Sequence, residues 1–473
     1  MTSSPPSPLV RALFSIGLEA LLTLSHDGLL ILLQRMLRMY AYGSSTLVLA
    51  LLFSSLGLSD TQLGAFMTLT LLGDVLVSLL LTLVADRLGR RNILMAGAGL
   101  MLVSGVVFAL SSSYAVLLLA AIVGVISPSG NEIGPFRAIE ESIQAQITPS
   151  PLRADIFAIS GMLGFLSAAA GQASIGWATE RLIRAEWGEL GAYRAVFWVY
   201  AGCAAGKLLL TLGMSEGCEV EKKEDYRPVE EDEIPLQEED GLELPDTPEA
   251  ETPLPPTPSK LKHPKPLSLF SRFTSLFPTL SPESRSIVWK LSLLFALDSL
   301  GGGLVPQSFV VYFFYQKFGL ATSVLGMIFS ITSVVSGISN LVAVAIAKQI
   351  GLVRTMVYTH LPSAIFLSLT PASSNLYIAA ACIILRSSTS SMDRAPRTAF
   401  TAQVVLKEER TGVLGIVNVA RTLAQAAGPW ISGRLSETGH LWLSFVVAGG
   451  MKAVYDLGIL AVFLNTKPRE EGA

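Results

Sequence analysis

The chain reads as an all-α membrane protein with twelve transmembrane helices in two pseudo-symmetric six-helix bundles. Three observations lead there. Of its 473 residues 51% are hydrophobic and only 15% charged, with mean hydropathy +0.54, far from the composition of soluble domains. A short charged stretch, Ala85-Asp86-Arg87-Leu88-Gly89-Arg90-Arg91, separates apolar runs 62–84 and 93–110, each able to cross roughly 30 Å of hydrocarbon as a helix. Finally, the two halves repeat: a shift of 257 positions sets Ala145-Gln146 on Ala402-Gln403, Arg153 on Arg410, Gly171 on Gly428, Gly176 on Gly433 and Glu180 on Glu437.

Taken in order, residues 1–34 are expected to form a cytoplasmic tail. Within it 9–33, apolar but interrupted by Glu19, His26 and Asp27, reads as an amphipathic segment lying along the membrane interface. The first span is set at 35–56, with Arg35, Arg38 and Tyr42 at i, i+3 and i+7 on one face. Runs 62–84 and 93–110 are the second and third. The fourth, 114–136, is interrupted by Ser127-Pro128-Ser129-Gly130-Asn131-Glu132. Spans at 156–178 and 195–214 complete an N-terminal half of 35–214.

Residues 215–286 read as a disordered cytoplasmic linker. Between 216 and 251 sixteen acidic residues stand against three basic ones, too little apolar surface to fold alone. Thr247-Pro248, Thr252-Pro253 and Thr257-Pro258 are candidate sites for a proline-directed kinase, and the segment is a candidate dock for a regulator. Six more spans, 287–315, 324–347, 354–369, 376–391, 412–435 and 441–464, form a C-terminal half of 287–465 before the tail 466–473. The clusters Arg87/Arg90/Arg91, Arg137/Arg153, Lys348/Arg354 and Arg394/Arg397/Lys407/Arg410 read as loops on one side. The positive-inside rule puts those loops, the linker and both termini in the cytoplasm.

An Asp-Arg-x-Gly-Arg-Arg loop after the second helix resembles the signature loop of the major facilitator superfamily, with Thr82 where the family usually has Gly. A shift of 262 positions sets this loop on Ala347-Lys348-Gln349-Ile350-Gly351, a decayed copy with Lys for Asp. The resemblance covers nearly the whole chain except tail and linker. It implies the major facilitator fold, with a substrate site near the midplane between two six-helix halves. In that family the first, fourth, seventh and tenth spans line the cavity.

The resemblance directs attention to polar residues of those spans, since ionisable groups at membrane depth are costly and mark pathways or pairs. Glu132 and Asp298 are the proton-coupling candidates. Arg38, Tyr42, Asn131, Gln307 and Arg386 are the substrate-pathway candidates. Gly301-Gly302-Gly303 and Pro306 weaken the seventh helix beyond Asp298. Asp86, Arg87, Gly89, Arg90 and Arg91 are expected to act as a conformational hinge. Arg421, in a polar stripe with Asn418 and Gln425, is expected to latch Asp86 when the outward-facing arrangement forms.

The expected function is secondary active transport of a small organic solute by alternating access, proton-coupled and directed toward efflux, with the lipid bilayer as surroundings. The antiporter pattern is partial, because no Arg precedes Arg137 in the fourth span and the fifth has Gly171-Gln172, with Gly428-Pro429 in the repeat. Proton-coupled uptake, and a non-transporting sensor or adaptor signalling through the linker, therefore stay open. No nucleotide-binding Gly-Lys-Ser/Thr loop, metal cluster or nucleophile-base arrangement supports an enzyme or a cofactor. Cys203, Cys218 and Cys382 lack metal-ligand spacing, and nothing points to nucleic acid.

Overall fold

Hydrocarbon offers backbone polar groups no water, so apolar runs of this length fold as helices. A computed structural model describes residues 21–124, 126, 135–149, 152–219, 282–405 and 409–464; among these are fifteen α-helices, one 3-10 turn and no strand. The N-terminal half holds α1 His26–Ser55, α2 Asp60–Leu88, α3 Arg90–Leu110, α4 Tyr114–Gly124, α5 Pro135–Ile147, α6 Arg153–Arg184 and α7 Gly188–Leu212. The C-terminal half holds α8 Pro282–Leu304, α9 Gln307–Phe318, α10 Thr322–Ile350, α11 Leu352–Leu369, α12 Leu376–Ser391, α13 Arg394–Val404, α14 Arg410–Glu437 and α15 Leu441–Phe463. With α4/α5, α8/α9 and α12/α13 each making one interrupted crossing, the chain passes twelve times. Seven stretches, one of them 285–318, meet the length and hydropathy of a membrane span.

Helix α1 begins at His26, so residues 26–34 run on into the helix of the first crossing, and 9–20 of the expected interfacial segment lie outside the described residues. Two contacts fix that start. The Ser25 hydroxyl accepts the Gly28 N–H at 3.2 Å, and the Asp27 carboxylate accepts the Ser215 N–H at 2.9 Å, tying the helix start to the end of the same half. A second correction concerns Arg394 and Arg397, expected in a cytoplasmic loop. They belong to α13, where Arg397 is buried and satisfied by buried partners while Arg394 is exposed at the cavity. The seventh crossing breaks at Val305-Pro306, where proline lacks the N–H a continuous helix needs.

Both copies of the charged loop make the same turn. Gly89 has φ 84° and ψ 140°, and Gly351 has φ 86° and ψ 163°, a region essentially open only to glycine. The second copy has changed its charges and kept its backbone.

The two halves share a core at one end only. Opposite the 85–91 loop, the largest apolar cluster combines Phe53, Phe66, Phe108 and Phe197 with Phe313, Phe314, Phe329 and Phe445. At the loop end each half keeps its own cluster, around Ile31, Ile93 and Ile143 in one and Val357, Phe400 and Val413 in the other. All six tryptophans, 177, 187, 198, 289, 430 and 442, are exposed on the outer surface, suited to lipid and its interfaces.

Closure at the shared end depends on missing side chains. A Cβ on Gly64 of α2 would stand 2.4 Å from the Pro429 carbonyl oxygen and 3.0 Å from the Gly433 Cα; on Gly176 of α6 it would stand 2.7 Å from the Thr322 oxygen and 2.9 Å from the Gly326 Cα. Small residues let membrane helices approach this closely. Gly176 corresponds to Gly433 under the 257-position shift and Gly64 to Gly326 under the 262-position shift, so one contact is made twice. Hydrogen bonds flank both: Thr61 donates to Glu437, and Thr322 donates to Glu180 at 3.4 Å.

Candidate functional site

Asp298 lies in the middle of α8, 6% exposed. Its Oδ2 accepts from Arg397 Nη1 at 2.8 Å and its Oδ1 from Lys452 Nζ at 2.7 Å. His360 Nε2 is 3.6 Å from Oδ1, while His360 Nδ1 lies 2.9 Å from Asp456. Arg397 also bonds Asp393, one turn back on the tenth crossing, and stands over the rings of Phe295 and Tyr455 at 5.2 and 4.9 Å. The buried charges are thus matched by opposite charges, which burial demands.

The N-terminal half carries a counterpart with its signs exchanged. Glu140 of α5 accepts from Arg38 of α1 at 2.7 Å and from Lys207 of α7 at 3.0 Å. Glu140 corresponds to Arg397 under the 257-position shift, and Arg38 to Asp298 under one of 260 that also pairs Gly43 with Gly303. In each half one carboxylate holds two cations and joins the first, fourth and sixth crossings.

Beside the Asp298 cluster is a cavity of about 570 Å³. Arg137 and Phe165 from the N-terminal half close one side, and the rest is walled by the C-terminal half. Asp298, Gln307, Arg386 and Arg421 stand on its walls, as do Asn418 and Gln425. Arg38 and the half-buried Tyr42 lie on α1, off these walls. Asn131, Glu132 and the side chains of Asp86 and Arg87 lie outside the described residues.

In this conformation, with the halves closed at the end opposite the 85–91 loop, Arg421 faces the cavity. Its Nε reaches the Ser299 hydroxyl at 3.4 Å and its guanidinium is 5.8 Å from the Phe295 ring, because the stripe it shares with Asn418 and Gln425 faces the cavity. The loop is held by its own half. Arg90 donates to Gln146 at 2.6 Å, and Arg91 to the carbonyls of Thr211 and Leu212 at 3.3 and 2.7 Å. The Glu219 carboxylate accepts the N–H groups of Arg90 and Arg91 at 2.7 and 3.1 Å, where the N-terminus of α3 favours an anion. Gly89 makes the turn that presents both.

Sequence reasoning missed Glu140, Lys207, His360, Arg397, Lys452 and Asp456 as site residues. A signal was present for several. Lys207 stands alone in an apolar run, and Lys452 and Asp456 sit one helical turn apart in another.

Comparison with known proteins bears on this arrangement. Residues 31–288 and 291–473 match the family model described as Major Facilitator Superfamily. The chain is 33% identical over 433 residues to the uncharacterized membrane protein YJR124C of Saccharomyces cerevisiae, covering 91% of this chain and 92% of that one. Among solved structures it is similar to a mutant of the nucleoside transporter NupG, with TM-score 0.64, 14% identity and coverage of 92% of this chain and 100% of that one. It is also similar to a D-xylose-proton symporter, with TM-score 0.65, 16% identity and coverage of 92% and 96%. At such identities the structural likeness concerns the fold.

Proposed function

Because the chain belongs to the major facilitator superfamily, a family of multi-pass membrane transporters and not of enzymes, we propose that it moves a small organic solute by proton-coupled alternating access. The observation that carries this is the uneven closure of the halves. They share an apolar core and glycine contacts at one end, keep separate cores at the other, and hold a polar cavity between. Rocking about that cavity exposes it to each side in turn.

The 85–91 loop side is assigned to the cytoplasm. Arg90, Arg91, Lys348 and Arg354 lie there, whereas Arg181, Arg184 and Arg194 at the opposite end are interspersed with Glu180, Glu186 and Glu189. Assigning Arg394 and Arg397 to helix α13, with Arg397 buried, takes both out of the loop count and keeps its sign. The acidic linker and both termini then fall on the cytoplasmic side, and the conformation described is closed to the outside.

For coupling, Asp298 is the central group. Arg397, Lys452 and His360 face it, with Asp393, Asp456 and Tyr455 behind them. A proton entering this network must displace a cation from Asp298 or charge His360 between two carboxylates. Either event redistributes ion pairs among four crossings, which couples protonation to helix position.

The test is solute flux in vesicles reconstituted with the full chain, with and without an imposed proton gradient, comparing wild type with Asp298→Asn. Gradient-dependent flux lost in the variant is the expected result, and the same traces read efflux against uptake. Unchanged pH dependence in Asp298→Asn would remove its coupling role. No flux of any solute would remove the transport reading.

A further inference from the structure

The cavity's charges do not cancel. Arg397 and Lys452 are matched by Asp298 and Asp393, and Arg137 by Glu141 at 2.7 Å. Arg386 of α12 and Arg421 of α14 both line the cavity, as does Arg394 of α13, which lies 5.6 Å from the Phe165 ring, and among the described residues neither Arg386 nor Arg421 makes an ion pair. Arg421 has only a long contact to a serine hydroxyl and a ring face. A guanidinium held at membrane depth without a counter-charge is costly, and two at one cavity need a reason.

The geometry points to a solute that is a small organic dianion, its two carboxylate or phosphate groups taken up by Arg386 and Arg421. This rests on the reading of the chain as a transporter and goes beyond it by naming the substrate class. Guanidinium groups bind such oxyanions through paired N–H donors. Asn418 and Gln425 lie beside Arg421 on the stripe and supply neutral donors for the remaining oxygens. Val305, Val310, Phe329 and Ile383 give the same cavity an apolar side, suited to a short carbon skeleton and without use for a bare inorganic anion. A volume near 570 Å³ lies within the range of small-ligand pockets. A cationic solute would meet two uncompensated like charges, and a neutral sugar would leave both unmatched.

The experiment measures thermal stabilisation of the purified full chain by succinate, glycerol 3-phosphate, inorganic phosphate, glucose and choline at fixed ionic strength. Wild type is compared with Arg386→Gln, Arg386→Lys and Arg421→Gln. Succinate or glycerol 3-phosphate is expected to stabilise wild type. Each Gln variant is expected to lose about tenfold or more in apparent affinity, with Arg386→Lys in between. Without any solute, each Gln variant is expected to melt higher than wild type, since it removes a half-buried charge that makes no ion pair.

Stabilisation by glucose or choline but not by either organic anion would overturn the proposal. So would a response to inorganic phosphate alone, no response to any of the five, anion binding unchanged in both Gln variants, or Gln variants that melt lower without solute. Binding is read without flux, so the two readings fail separately. Anion binding with no flux leaves this inference and removes transport, while flux of a neutral solute does the reverse.

Discussion

Glu140 is a carboxylate 3% exposed with two cations on it, and its worth is mostly the cost of breaking it. Glu140→Gln leaves Lys207, itself 2% exposed, beside a neutral amide. Removing one partner of a buried ion pair costs on the order of 3–5 kcal/mol. We expect a clear drop in the melting temperature of the purified protein; a loss below about 0.5 kcal/mol would mean that the cluster is solvated like a surface pair. Backbone strain offers an independent test. Gly89→Ala and Gly351→Ala each force a Cβ into φ near 85°, at about 1–3 kcal/mol. Both variants are expected to lower the melting temperature, Gly89→Ala by more, because its Cβ would also stand 3.0 Å from the Glu219 carboxylate oxygens whereas Gly351 has nothing within 4 Å. A loss at Gly89 alone would mean that the second loop can relax into another turn.

At the scale of elements, the closed end is set by two helix crossings, α2 on α14 and α6 on α10. Each has a glycine facing a glycine, with carbonyl oxygens where side chains would go. Gly64→Val or Gly176→Val cannot be absorbed by a flexible side chain, since the nearest atoms are backbone. The conformer closed at this end should therefore lose population, while each half keeps its own core. Spin labels at positions 189 and 440, at the closed ends of opposite halves, should report a distance distribution shifted several Å longer in either variant. An unchanged distribution would show that the contact does not set the closed state. Gly57, which has open space around the site of a Cβ although its φ is 73°, makes a useful comparison: a substitution there strains one turn without touching the other half.

For the whole molecule, what could be read from the sequence was what is local or periodic. Apolar runs placed most crossings, Pro306 marked the break in the seventh, and the 257-position repeat picked out Gly176, Gly433, Glu180 and Glu437, each of which touches the opposite half at the closed end. The ion clusters were not legible in the same way. Asp298 and Lys452 are 154 residues apart and Arg38 and Glu140 are 102 apart, so no local pattern joins them. Arg397 read as a loop residue because charge normally means water, and only the fold brings Asp298 to it. The remaining question at this scale is what residues 221–279 contribute, which carry most of the acidic run and lie outside the described residues. Glu219, just before them, already bonds the backbone of the 85–91 loop, so a signal arriving on the linker has a physical route to the end of α2 and the start of α3. Replacing 221–279 with a Gly/Ser chain of equal length keeps Glu219 and the reach between the halves while removing the charge and the Thr-Pro sites. In a carrier whose cycle belongs to the two six-helix halves, flux in reconstituted vesicles should match wild type, and only responses to a kinase or regulator should be lost. Abolished flux with an unchanged melting temperature would instead make the linker part of the cycle, and would bring forward the sensor reading in which the membrane halves serve the linker.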